Sequence, residues 1–372
     1  MSRRYRLIYS AGVIALAAAA AASTAALVLW AIGASPWATF GVILTGPLRD
    51  VFGLTEILVR AVPLILVALG VAISFRSGIL NIGAEGQILI GILCATGTAL
   101  GLSQLPRAVL LPLCLAAGAA GGALWGGIAG VLRARLDVNE ILSTVMLNYI
   151  AAQLYTFTLR GPMIDPAELM TGSGTPQSMR LTRAVWLDRL IPGTRLHSGL
   201  VIALVLAVLV WVLLWRTTLG YRMRAAGAGS KAARYAGIHV ERALVVAMLL
   251  GGGFAGLAGA IEVLGVHHRA IEAISSGYGF AAIVVALFGG LHPLGIVPSA
   301  VFFGLLLVGA DMTQRSNGVP ANMILVFQGA IILAIVSAKM YLNNPYARQR
   351  AAKLLGKLLP SRAGSSAEEA GP

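Results

Sequence analysis

Charged residues and cysteines are scarce in this sequence. Charged residues make up 11% of the 372 positions and apolar residues 58%, whereas about 25% charged residues is usual for a soluble domain. The two cysteines, Cys94 and Cys114, both lie inside apolar segments, so we expect neither a disulfide framework nor a metal site. The apolar residues fall in blocks of about 20, which is the length that spans a bilayer. The composition therefore predicts a polytopic membrane protein.

Nucleotide-binding and catalytic motifs are also lacking. Gly356-Lys357 is followed by Leu358 and has no upstream glycine at the spacing of a phosphate-binding loop. The adjacent His267 and His268 lack the spacing of a zinc-binding helix. We expect no cofactor, no metal and no enzymatic activity in this chain.

Positive charge is in excess, with a formal net charge of +14. These cations lie in loops and tails between the apolar blocks, where they set orientation and contact anionic lipid, so membrane lipid and not nucleic acid is the expected partner. Their distribution places both termini in the cytoplasm. We predict an all-α protein with about ten transmembrane helices, at about 8–33, 56–74, 79–102, 108–131, 140–159, 198–216, 243–264, 278–291, 295–312 and 321–338.

The predicted organisation is a transmembrane domain at 1–338 and a basic, disordered cytoplasmic tail at 339–372. A long external loop covers 160–197, and a cytoplasmic loop covers 217–242. The N-terminal apolar run from Ile8 to Gly33 is longer than the ~7–15-residue core of a signal peptide. We therefore favour a retained first helix over a cleaved signal peptide.

Polar residues inside predicted spans are candidates for a solute path, because charge at mid-bilayer costs about 2.5–3.5 kcal/mol. Asn81, Glu85 and Gln87 lie in NIGAEGQ, where three glycines weaken regular helix. Broken helix is tolerated where it lines a cavity. The alternative is a structural network in which Glu85 pairs with Arg76 or another loop cation.

Three further candidates lie in other spans. The amide of Asn148 suits a base or a sugar hydroxyl, although it suits a bond to a neighbouring helix equally well. Tyr278 and Phe280 flank Gly279, and such an aromatic pair suits stacking on a nucleobase. Interfacial anchoring is the alternative for Tyr278.

The two halves of the chain share a glycine pattern. Ser77-Gly78 precedes Gly91 by the same interval that separates Ser276-Gly277 from Gly290. With the first pair inside and the second outside, the halves are expected to be inverted repeats with broken helices, an arrangement that places a transporter's site near the midplane.

The cytoplasmic loop 217–242 is too basic to cross a bilayer. We expect Ser230 to cap a short helix and Gly237 to end it, with Ala232, Tyr235 and Ala236 on one face. Such a knob suits a partner's groove; the alternative is a loop that only anchors topology. The residues predicted to couple to the partner are Arg224, Ala226, Gly227, Ser230, Ala232, Ala233, Arg234, Tyr235 and Gly237.

Four stretches resemble the permease subunits of bacterial ABC importers, in the branch for nucleosides and simple sugars that is related to branched-chain amino acid permeases. They are GYRMRAAGAGSKAARYAGIHV in the loop just described, SGILNIGAEGQILIG, VNEILSTVMLNYIA and GYGFAAIVVALFGGLHPLG. The resemblance covers about 56–339, and VNEILSTVMLNYIA is more typical of nucleoside-type than of ribose-type permeases.

This resemblance implies a multi-pass subunit of the bacterial cytoplasmic (inner) membrane that imports nucleosides. Its implied partners are ABC ATPase subunits docked at the 217–242 loop, a second permease subunit forming a homo- or heterodimer, and an extracytoplasmic solute-binding protein. A simple-sugar importer is the nearest alternative. An ion-coupled secondary transporter using Glu85 and Glu262 is another, and a membrane-embedded enzyme is a third.

Overall fold

The computed structural model describes residues 3–31, 33–172 and 175–317, with Gly329, Ala334, Ser337, Ala338 and Tyr341. The described α-helices are Arg3–Ala31 (α1), Pro36–Thr45 (α2), Val51–Arg76 (α3), Ala84–Gly101 (α4), Arg107–Leu136 (α5), Glu140–Arg160 (α6), Pro166–Thr171 (α7), Gly199–Arg216 (α8), Thr218–Ala228 (α9), Ser230–Tyr235 (α10), Val240–Glu262 (α11), Tyr278–Phe288 (α12) and Pro293–Asn317 (α13). Most of the predicted tenth span and of the tail lies outside the described residues.

Helices that can cross a membrane dominate the described part of the chain. Six are long and apolar enough: Val51–Arg76, Ala84–Gly101, Arg107–Leu136, Gly199–Arg216, Val240–His267 and Pro293–Ser316. They correspond to six of the ten predicted spans. The protein is therefore a helical, multi-pass membrane protein, while the count of ten and the inverted repeat remain predictions.

The chain divides into two compact units, one of 1–41 with 313–372 and one of 42–312. In the first unit, α1 is helical over most of the predicted first span, and the Tyr9 hydroxyl donates to the backbone oxygen of Tyr341 at 3.2 Å. The second unit contains every candidate site residue.

Glycine lets the central helices of the second unit approach closely. Gly118 and Gly122 of α5 face Gly252 and Gly256 of α11, each pair four residues apart, and a Cβ built on Gly252 would lie 2.2 Å from the backbone oxygen of Gly122. Small residues at this spacing are typical of tightly packed membrane helices. Helix α11 is consequently the centre of the unit and packs against α3, α4 and α5.

The connection between α3 and α4 is not helical. Gly78 has a φ of +84°, which favours glycine, and residues 77–83 separate the end of α3 at Arg76 from the start of α4 at Ala84. Asn81 and Ile79 in this connection are only 1% exposed. The chain therefore passes through the protein interior before it becomes helical again.

Candidate functional site

Glu85 lies where two helices begin. It is in the first turn of α4, and its Oε2 accepts a hydrogen bond of 2.7 Å from the backbone amide of Gly279, in the first turn of α12. Because a helix N-terminus attracts negative charge, this carboxylate stabilises both helix starts. The predicted alternative, an ordering role, fits this geometry, with a backbone amide in place of the expected loop cation.

The predicted amides surround the same connection. The side chains of Asn81 and Gln87 exchange hydrogen bonds of 3.1 Å in both directions, and Asn81 also accepts from the backbone amide of Gly83. Asn148 of α6 accepts from the amide of Gly86 at 2.8 Å and donates to the backbone oxygen of Ile82 at 2.9 Å. These bonds fasten residues 81–87 to α6 and satisfy polar groups that are buried.

The two predicted aromatics have different environments. Tyr278 is 3% exposed, whereas Phe280 is 50% exposed. The Tyr278 hydroxyl accepts a hydrogen bond of 2.8 Å from Arg60 of α3, so it is buried in the protein and is not an interfacial anchor. Of the six path candidates, Phe280 presents the most surface.

A charged network around Arg60 was not predicted from the sequence. Arg60 contacts Asp311 of α13 at 3.0 Å and Glu56 at 3.8 Å, and Glu56 also contacts Arg195 of the 160–197 loop at 3.4 Å. Glu262 of α11 pairs with His267 at 3.4 Å. The i, i+4 spacing of Glu56 and Arg60 within an apolar span was the available signal, since charges in a membrane need partners.

The 217–242 loop folds into two short helices, α9 and α10. Its own small core consists of Ala226, Ala233, Val240 and Ala243. Gly237 ends α10 with a φ of +77°, which confirms the prediction for this residue. Ser230 is the first helical residue, and Gly229 occupies the N-cap position, so the predicted capping role of Ser230 is wrong.

The exposed side of this loop is formed by part of the predicted set. Ala232, Arg234, Tyr235 and Gly237 are exposed, and Tyr235 is 95% exposed. Ala233 is 5% exposed, because it faces the loop's own core. The surface available to a partner is therefore centred on Tyr235, and the prediction that Ala233 enters a partner's groove is not supported by its burial.

The sequence from residue 53 to residue 336 matches the family model described as the permease component of the branched-chain amino acid transport system. The chain belongs to this permease family. No solved structure gives a significant match.

The permease is similar to curated relatives over most of its length. The glucose ABC transporter permease protein TsgB13 of Haloferax volcanii is 38% identical over 90% of this chain and 89% of its own. The guanosine ABC transporter permease protein NupP of Bacillus subtilis is 35% identical over 84% of this chain and 89% of its own. A second guanosine ABC transporter permease protein of that organism, NupQ, is 31% identical over 66% of this chain and 78% of its own.

The 160–197 loop of the permease contacts the segment that follows α11. It contains α7. The backbone amides of Ser178 and Leu181 donate hydrogen bonds to the backbone oxygens of Ala270 and His268, at 2.8 and 2.9 Å, in the segment after α11. His268 stacks on Trp186 with ring centroids 3.9 Å apart. Burial lowers the pKa of His268 to about 4, and nearby arginines act in the same direction, so this histidine is neutral at pH 7.

Proposed function

We propose that this permease is the membrane subunit of an ATP-driven ABC importer for nucleosides. The observation that carries the proposal is similarity to two guanosine permeases over 84% and 66% of the chain. Simple sugars are the second candidate, because a glucose permease is 38% identical. The three relatives named above are all ABC transporter permeases, which favours the ABC class over an ion-coupled secondary transporter.

The assembly follows from the same proposal. ATP hydrolysis takes place on separate ABC ATPase subunits that dock on the exposed surface around Tyr235. A second permease subunit completes the pore, and the presence of two guanosine ABC transporter permease proteins, NupP and NupQ, in one organism supports a heterodimer. An extracytoplasmic solute-binding protein delivers solute to the external loop, and the complex lies in the bacterial cytoplasmic membrane.

The solute path, in this proposal, passes the junction of α4 and α12. Phe280 supplies a flat apolar face for a base, because base–aromatic stacking contributes about 1–3 kcal/mol. Asn81, Gln87 and Asn148 form the wall behind it through their buried amides, with Glu85 and Tyr278 fixing the start of α12. Phe280→Ala is expected to reduce uptake at low solute concentration, with Phe288→Ala, another half-exposed α12 aromatic, as the matched control.

Uptake competition tests the proposal. Labelled guanosine is offered to a strain deleted for the permease gene and to the same strain carrying it, with unlabelled nucleosides or glucose as competitors. We expect permease-dependent uptake that an excess of nucleoside abolishes and glucose does not. Competition by glucose alone would replace the nucleoside assignment with the sugar one, and uptake that persists in ATP-depleted cells with an intact proton gradient would refute the ABC mechanism.

A further inference from the structure

Helix α12 is held at both ends by charges from one short stretch of the chain. Glu85 accepts a hydrogen bond from the amide of Gly279 at its N-terminus. At the other end, Arg76 Nε donates to the backbone oxygen of Leu291 at 2.6 Å and Nη2 to that of Gly290 at 3.3 Å. A negative charge at a helix N-terminus and a positive one beyond its C-terminus both complement the helix dipole. The helix is therefore fixed by residues on either side of the α3–α4 connection.

Arg76 is also part of an aromatic cluster beside the 217–242 loop, which is the docking loop for ATPase subunits in the proposed function. Its guanidinium lies 4.7 Å from the ring centroid of Trp215, at the end of α8, and that of Arg224 in α9 lies 5.7 Å from the same ring. Trp215 in turn contacts His292, with centroids 4.7 Å apart. Arg224 is anchored to the backbone oxygen of Leu214 at 2.9 Å. The cluster joins α8, α9 and the residues after α12.

Backbone packing provides a second contact between the same elements. A Cβ built on Gly227 of α9 would lie 2.2 Å from the backbone oxygen of Arg76 and 2.8 Å from the amide nitrogen of Gly78. Helix α9 therefore rests directly on the turn that carries Arg76. A displacement of α9 has no free space to absorb it at this point, because packed backbones do not compress.

We infer that Arg76 is a positioning residue for energy coupling, which transmits a displacement of the docking loop to α12 and so to the Glu85 junction. The inference rests on the proposed function, because it requires ATPase subunits on the 217–242 loop. Helix α12 has 11 residues and is about 16 Å long at 1.5 Å per residue. A rigid segment of this length carries a movement at Gly290 and Leu291 to Tyr278 and Phe280 at its other end.

Variants of Arg76 in the reconstituted complex, with ATPase subunits and solute-binding protein, test the inference. Arg76→Gln removes the charge and both paired donors, and Arg76→Lys keeps the charge over Trp215. Arg216→Gln is the matched control, since Arg216 lies 5.6 Å over the ring of Trp211 near the same end of α8. We expect Arg76→Gln to lower the number of solute molecules imported per ATP about tenfold, Arg76→Lys to recover part of that loss, and Arg216→Gln to leave the ratio unchanged.

A second measurement separates transmission from a merely structural role. Hydrogen exchange of the backbone amides in α9 and in 276–292 is compared with and without a non-hydrolysable ATP analogue. In the wild-type complex we expect the analogue to change exchange at both ends of α12, and in Arg76→Gln only exchange in α9 to respond. If Arg76→Gln couples ATP hydrolysis to import as the wild type does, or if its α12 responds normally to the analogue, the inference is overturned.

These outcomes are distinguishable from failure of the proposed function. If the wild-type complex imports no solute when ATP is hydrolysed, the proposed function is wrong and the variants have nothing to uncouple. If the wild type imports and Gly227→Ala uncouples it while Gly229→Ala does not, the contact between α9 and the Arg76 turn is confirmed. A Cβ at Gly229 would meet only the Ala232 side chain, at 3.9 Å.

Discussion

Replacing Glu85 separates the ordering role of this carboxylate from a role in ion coupling. Glu85→Gln keeps the size and one carbonyl oxygen but removes the charge from two helix starts. Hydrogen bonds to a charged group contribute about 1.5–3 kcal/mol and neutral ones about 0.5–1.5. Because the carboxylate lies in the first turn of α4 and accepts from the amide of Gly279 in the first turn of α12, we expect Glu85→Gln to lower the free energy of unfolding by about 1–3 kcal/mol.

The corresponding alanine variant has a larger effect. Glu85→Ala leaves the buried amide of Gly279 without its acceptor, which costs about 1–3 kcal/mol, and removes the negative charge from both helix starts, so the junction of α4 and α12 is expected to separate. Glu272→Gln is the control, because its pair with Arg160 at 3.2 Å is exposed and exposed pairs contribute about 0–1 kcal/mol. Thermal unfolding in detergent, followed by size-exclusion chromatography, measures all three variants alongside the wild type.

The rival ion-coupled mechanism predicts a different pattern. If Glu85 carried a coupling proton, Glu85→Gln would abolish uptake with unchanged thermal stability and would remove the dependence of uptake on the proton gradient. We expect instead a loss of stability and a proportional loss of assembled transporter. Equal unfolding temperatures for Glu85→Ala and Glu272→Gln would refute the ordering role.

Three other perturbations follow from the packing and the protonation states. Gly252→Ala is expected to destabilise the permease by about 1–3 kcal/mol through overpacking, because its Cβ would lie 2.2 Å from a backbone oxygen. Gly253→Ala is the control, since the nearest atoms to a Cβ on Gly253 are at 3.6 Å. Equal unfolding temperatures of the two variants would contradict the close packing of α5 and α11. Tyr235→Ala removes a 95% exposed side chain, so it is expected to abolish ATPase binding in a pull-down without changing stability by more than about 0.5 kcal/mol. Ala233→Asp, in contrast, is expected to unfold the 217–242 loop. Retained binding by Tyr235→Ala would favour a loop that only anchors topology. Burial lowers the pKa of His268 to about 4 from about 6.5 in the unfolded chain. Between these values the unfolded state binds more protons, so stability is expected to fall as pH drops from about 6.5 to 4. A pH series of unfolding temperatures should show a shallower fall in His268→Asn, and an unchanged slope would refute the neutral, buried state.

Local signals in the sequence account for some of the helix ends. Asn139 is a residue type that favours the N-cap position, and its side chain accepts from the amides of Ile141 and Leu142 at the start of α6. Gly237 was expected to end α10 and does so. Such signals act within one or two turns, so the residue types at those positions determine the outcome without reference to the rest of the chain.

Tertiary pairing was beyond the reach of local patterns. Glu85 and Gly279 are 194 positions apart, and Arg76 and Leu291 are 215 apart. The matching glycine intervals enclose NIGAEGQ in the first half of the chain and the start of α12 in the second. They did not identify the backbone amide of Gly279 as the partner of Glu85. Ala233 was misplaced for a related reason: a six-residue helix has no long apolar stripe, so its buried side is set by Ala226 and Val240 outside it.

The charged network at Arg60 shows how an energetic argument extends what local patterns reveal. Glu56 and Arg60 share one face of α3 next to the apolar run 61–73, and Glu56 is only 8% exposed, so each requires a compensating group in the protein. Asp311, 251 positions away, and Arg195 are those groups. Glu56 forms ion pairs with both arginines, so removing its charge deprives both of that partner, whereas removing Asp311, which is 43% exposed, leaves Arg60 with Glu56 and Tyr278. The network therefore depends more on Glu56 than on Asp311, although Asp311 makes the shorter contact.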